Sequence, residues 1–201
     1  ASVVGAMRAL ADEAAQSDCL FIIANVARLG GRDGRAAVIN AGGLATAASG
    51  LDTGAPLALQ GHAAELVGEL GKDADAADAI SASGLAGMLA GLLESRTEDI
   101  RAKAVASLVS LSESQAHRAD LVRQDCVAKL AHFIVSSDPP QRLARSASTV
   151  IQRCLDEAVS VRQVGSGAGA LVSALTELAC RVVDPQVKQH VLRALAALCG
   201  D

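Results

Sequence analysis

Five stretches of the chain carry one apolar rhythm: residues 19–26, 63–70, 104–111, 147–154 and 191–198. Each places a small or branched residue first, an aliphatic one four positions later and an apolar one three after that. The columns are Cys19, Ala63, Ala104, Ala147 and Val191, then Ile23, Val67, Leu108, Ile151 and Leu195, then Val26, Leu70, Leu111, Cys154 and Leu198. Side chains at i, i+4 and i+7 share one face of a helix, so each stretch predicts an amphipathic helix. Successive stretches lie 44, 41, 43 and 44 residues apart, an internal repeat of about 43. Repeats of that length belong to stacked helical units.

A second column lies between the first. Ile39 to Leu44, Ile80 to Leu85, Leu121 to Val127 and Val164 to Leu171 each read as a short helix end, a small turn residue and a new apolar helix. Glycine there permits a sharp reversal, and Cys126 in the third unit should make the turn less free. Breakers then mark the start of each long helix: Gly54-Ala55-Pro56, Thr97-Glu98-Asp99, Ser137-Asp138-Pro139-Pro140 and Asp184-Pro185. Asp, Ser or Thr ahead of Pro or of an acidic turn is an N-terminal helix signature. Period-two alternation is nowhere sustained, so no strands are expected.

Composition says how such helices pack. The chain has 201 residues, 51% of them hydrophobic, yet only two Phe and no Tyr or Trp. Its apolar material is small: 42 Ala, with 18 Gly, which suits helices pressed close together. Disorder is excluded by the hydrophobicity, and collagen by the lack of a period of three. The net charge of −4 disfavours a generic nucleic-acid or acidic-membrane surface. Residues 1–100 hold 6 basic and 13 acidic side chains, whereas residues 101–201 hold 12 and 9, giving an elongated fold opposite ends. No run of 18 apolar residues occurs and the start lacks a charged lead, so neither a membrane span nor a signal peptide is expected. Five widely spaced cysteines suit reduced thiols in an intracellular, cytoplasmic setting.

Three helices in a period of 40–47 residues is the armadillo or HEAT pattern. The segments SGLAGMLAGLL, LESRTEDIRAKAVASLVSLSES and DPQVKQHVLRALAALC resemble the armadillo repeat over essentially the whole chain. The resemblance implies an all-α, right-handed α-solenoid with the third helix of each unit on the concave side. As one domain over 1–201, it divides into a partial unit 1–29 and units near 32–71, 72–112, 114–155 and 158–200. Terminal repeats need a polar outer face. Leu195-Ala196-Ala197-Leu198-Cys199 is apolar, which predicts a further helix beyond Asp201 or a contact that covers it.

Armadillo grooves of the nuclear-import adaptor type carry a Trp four residues before an Asn on each third helix. Here the Trp column reads Phe21, Glu65, Ala106, Thr149 and Arg193, and the Asn column Asn25, Glu69, Ser110, Arg153 and Ala197. Cation–π clamping of basic side chains needs aromatic faces, so that mode of binding is excluded. The candidate partner-binding residues are Asn25, His62, Glu65 and Glu69 towards one end. Lys103, Ser110, Arg142, Ser146, Thr149, Arg153, His190 and Arg193 continue towards the other. An acidic end and a basic end could orient a charged segment of a partner.

No HExxH, GxSxG, CxxC or GKS/T pattern occurs, and His62, His117, His132 and His190 fall in different units without ligand spacing. Gly165 to Gly169 falls on the turn column, not after a strand, and reads as a turn rather than a phosphate loop. No catalysis, cofactor, metal, nucleic acid, membrane insertion or small-molecule ligand is expected. The leading expectation is a protein–protein interaction scaffold whose groove takes an extended segment or helix of another protein. Residues 63–68 and the Arg101 to Leu108 helix also resemble armadillo-type nucleotide-exchange factors of 70-kDa heat-shock chaperones, although the match fades around Asn40. A ligand-sensing regulatory domain is the third reading.

Overall fold

The computed structural model of the chain describes residues 6–7, 10, 12–156 and 168–199. Its helices are α1 (Glu13–Leu29), α2 (Gly31–Asn40), α3 (Gly43–Leu51), α4 (Leu57–Leu70), α5 (Ala77–Ala82), α6 (Leu85–Gly91), α7 (Glu98–Glu113), α8 (Gln115–Arg123), α9 (Cys126–Ser137), α10 (Gln141–Leu155), α11 (Ala168–Arg181) and α12 (Pro185–Cys199). Short 3₁₀ turns at Ala74–Ala76 and Leu92–Glu94 extend α5 and α6, and no strand occurs among the described residues.

The order is a long helix, a short one and a middle one, repeated. The long helices α1, α4, α7, α10 and α12 pack side by side in chain order, and α3, α6, α9 and α11 form a second row behind them. One continuous core runs through both rows. Every apolar column is sealed in the middle of the stack, and the second and third loosen at both ends, whereas the first stays closed at Val191. Val67, Leu108 and Ile151 are fully buried, whereas Ile23 and Leu195, in the same column, are half-buried. Val26 departs from expectation. Its counterparts Leu70, Leu111 and Cys154 are buried, but Val26 is 48% exposed beside Ile22 and Leu29. A repeat buries its face against its neighbours, and among the described residues α1 packs against one long helix, α4, where α4, α7 and α10 each pack against two.

The turn column is set by backbone conformation. Gly42 and Gly84 adopt left-handed φ values of 92° and 67° immediately before α3 and α6. In the third unit that place is taken by Asp125 (φ 62°), not by Cys126, which is the first residue of α9. Asp is among the few side-chain-bearing residues that tolerate the left-handed region, which explains the substitution for glycine. The fourth member of the column, Val164 to Gly167, and the unit boundary near Ala158 lie outside the described residues.

The breakers precede their helices, but Pro56, Thr97 and Pro140 make no side-chain cap. Asp184 accepts hydrogen bonds from the backbone N–H groups of Gln186 (2.9 Å) and Val187 (3.0 Å), starting α12. Asp12 caps α1 through the Ala14 N–H at 3.2 Å. Before α4 the buried Gln60 turns back, and its Nε2 donates to the carbonyls of Asp52, Thr53 and Ala55. Among the described residues no single helix is long and apolar enough to cross a membrane. α5 and α6 pass such a test only as a pair bent by 73°.

Candidate functional site

The candidate residues lie on the long helices α1, α4, α7, α10 and α12, and recesses open between neighbouring ones. Between α1 and α4 a recess of about 300 Å³ is lined by Phe21, Ala24, Asn25, Arg28, Glu65 and Glu69. Phe21, the sole aromatic of the Trp column, lies against the His62 ring with centroids 5.3 Å apart and the planes tilted by 57°. Asn25 is engaged locally: its Nδ2 donates to the Phe21 carbonyl at 2.9 Å, and its Oδ1 accepts from Arg28.

The acidic candidates are paired. Glu65 lies 3.1 Å from Lys103, which reaches across from α7 and also meets Asp99 at 3.3 Å. His62 Nδ1 is 3.4 Å from the other Glu65 oxygen. Burial lowers the Lys103 pKa, but its two carboxylate partners outweigh that and leave it raised. Glu69 holds Lys72 at 2.6 Å. Both acidic candidates are therefore already engaged by lysines.

At the other end the cations divide into two groups. Arg153 Nη1 donates to Ser112 Oγ at 3.2 Å and reaches the Val109 carbonyl at 3.5 Å, tying α10 to the last turn of α7. His190 Nδ1 lies 3.0 Å from Ser148 Oγ, and burial together with the Arg193 charge lowers its pKa, favouring the neutral ring. Thr149 bonds back to the Arg145 carbonyl at 2.9 Å. Arg142 and Arg193 are exposed, and no described residue holds either of them in an ion pair or hydrogen bond. Ser110 and Ser146 are half-buried on α7 and α10.

Between α7 and α10 lies a larger recess of about 440 Å³, with Ala102, Ala106 and Leu143 on its walls and Glu98, Lys103, Arg142 and Ser146 around it. Ala106 occupies the Trp column, so the small residue leaves room where a clamp would stand. Of these, only Lys103, Arg142 and Ser146 are among the candidates read from the sequence. The signal that could have found the rest was that alanine. A recess of about 740 Å³ opens elsewhere, beside the α9–α10 and α11–α12 turns. Its chief polar group, Asp184, is consumed by the α12 cap and by Arg145 at 2.9 Å, which holds the carboxyl well below the usual range.

The remaining titratable groups serve packing. Burial pushes the Cys126 thiol up to about 12, so it stays protonated, with Sγ 3.3 Å from the Ala86 carbonyl. His117 is 2% exposed, and burial lowers its pKa despite nearby Asp120 and the backbone of Asp73 and Gly71. Exposed His132 bonds Ser136 on its own helix. Among the described residues no three His, Cys, Asp or Glu side chains converge as metal ligands would.

Neither a protein-family model nor a curated protein matches this sequence. Solved structures do match its fold. A designed armadillo repeat protein in complex with the peptide (KR)4 superposes with a TM-score of 0.75 at 16% identity, over 98% of this chain and 80% of that one. Computationally designed armadillo repeat proteins for modular peptide recognition give 0.74 at 18%, over 97% and 80%. The armadillo-repeats-only protein of Plasmodium falciparum gives 0.66 at 13%, over 91% and 80%. The fold is an armadillo-type α-solenoid.

Proposed function

We propose that this armadillo-type solenoid is a non-catalytic interaction scaffold that holds an extended segment of another protein along its long-helix face. The observation that carries the reading is the pair of recesses on that face, each formed between adjacent long helices. Adjoining helices repeat at a near-constant interval, so recesses between them suit a chain laid across several units. Peptide recognition by the designed neighbours supports the same use of this fold, though as analogy. The mode differs from a basic-peptide clamp: the aromatic column is absent, and the acidic groups Glu65 and Glu69 already hold lysines.

A photo-cross-linking amino acid placed at Thr149, on the long-helix face, or at Ser173, exposed on α11 in the second row, tests the reading against a phage-displayed library of random peptides. Enriched peptides should cross-link from position 149 and not from 173. Cross-linking from 173 alone would move the binding surface to the opposite row. If affinity capture instead recovered a 70-kDa chaperone, with faster nucleotide release from it, the co-chaperone reading would replace the scaffold.

A further inference from the structure

We propose that the recess between α7 and α10 is the specificity pocket of the scaffold, taking an aliphatic side chain whose neighbouring acidic residue pairs with Arg142. The inference rests on the long-helix face being the binding surface and adds what that surface selects.

Three features converge. First, there is space: about 440 Å³, within the range of clefts that hold ligands. It exists because position 106 carries a methyl group where a clamp residue would project; Ala106 itself is exposed. Second, the walls supplied by Ala102, Val105, Ala106, Pro140 and Leu143 are apolar, with Ser146 the neutral polar residue beside them, so an aliphatic side chain gains by leaving water there. Third, the surrounding charges are unequal in availability. Lys103 is held by Glu65 and Asp99. Glu98 sits in the first turn of α7, where the helix dipole favours a carboxylate. Arg142, in the first turn of α10, is exposed and engaged by no described side chain. An acidic group arriving on the α10 side finds a free guanidinium able to grip it with two parallel hydrogen bonds.

The two walls also impose a direction. Glu98 repels acid on the α7 side and Arg142 attracts it on the α10 side, so the acidic residue lies on one flank of the anchor only. Polarity of this kind suppresses reversed binding as much as it strengthens the correct one.

The probe is the same random-peptide library, selected against the wild-type protein and against Ala106→Trp, Ala106→Ser, Arg142→Glu and Arg142→Lys. Wild-type selection should enrich an aliphatic residue adjacent to Asp or Glu on one side. A106W, which fills the recess from an exposed helical position, and R142E should each weaken those peptides on the order of tenfold or more, equal to about 1.4 kcal/mol. A106S and R142K should retain most of the binding. Enriched peptides that cross-link at Thr149 but lack this motif, or bind A106W undiminished, would overturn the pocket and leave the scaffold standing. Failure to enrich any peptide that cross-links there would remove both.

Discussion

At the scale of single residues, the smallness of the side chains acts through a few close approaches. A Cβ built on Gly68 of α4 would stand 2.9 Å from Ser107 Oγ and 3.1 Å from its Cα, across the α4–α7 contact that Ser107 Oγ also bridges to the Ala64 carbonyl at 2.6 Å. Gly91, helical and with nothing within 4 Å of such a Cβ, is the opposite case. Gly68→Ala should therefore destabilise by about 1–3 kcal/mol, as overpacking does, while Gly91→Ala should stabilise by up to about 1 kcal/mol through helix propensity. Urea titrations of both variants, with opposite shifts of the midpoint, check the pair. His117 gives a pH signature. Burial lowers its folded pKa below the ordinary 6.5, so the unfolded chain takes up the proton first. Stability should accordingly fall as pH drops below about 6.5, until the folded-state pKa is reached. Comparing urea midpoints across that range for wild type and His117→Gln isolates the effect, and the variant should show the shallower slope. Much of this was invisible in the sequence. His117 and Gly68 declare neither their burial nor their neighbours, and Arg153 reads as an open cation until α7 is seen to receive it.

At the scale of helices, the sequence was legible wherever a local rule decides. The long-helix starts follow from Asp184-Pro185 and its fellow breakers, and the reversals follow from Gly42 and Gly84, because caps and left-handed turns depend on neighbours in the chain. Where the decision depends on another unit, the sequence falls short. Val26 has the same rhythm as Leu70, and only the position of α1 in the stack exposes it. Asp120 shows the same limit. It is 4% exposed and accepts from Ser81 (2.9 Å), Arg123 (2.6 Å) and Gln124 (2.7 Å), joining α5 to α8. Gln124 passes the link on by accepting the Gly87 N–H of α6 at 2.7 Å. Removing the carboxylate strands several donors at once, so Asp120→Ala should cost about 2–4 kcal/mol. Thermal unfolding of Asp120→Ala beside Ser81→Ala tests this, since the serine removes one spoke and should lower the midpoint far less.

At the scale of the molecule, the fold has no centre in the usual sense. The long helices α4, α7 and α10 are each held by the one before and the one after, so stability is nearly a sum of unit and interface contributions along the stack. The gradient of burial fixes where that sum is weakest. In one and the same column Val67 of α4, Leu108 of α7 and Ile151 of α10 are fully buried, whereas Ile23 of α1 and Leu195 of α12 are half-buried. An amide can exchange by the cheapest opening that frees it, and among the described residues α1 packs against one long helix, α4, and α12 against one, α10. Freeing α7 requires breaking the interfaces on both of its sides. Native-state hydrogen exchange should therefore rank protection with α7 and its neighbours α4 and α10 above α1 and α12. The end helices should open with a smaller dependence on denaturant, because they expose less surface. A ligand bound in the α7–α10 recess should raise protection chiefly in those two helices, leaving α1 unchanged. Uniform protection from α1 to α12, with a single denaturant slope, would mean that the stack unfolds as one unit and that the looser packing of Ile23 and Leu195 carries no energetic consequence.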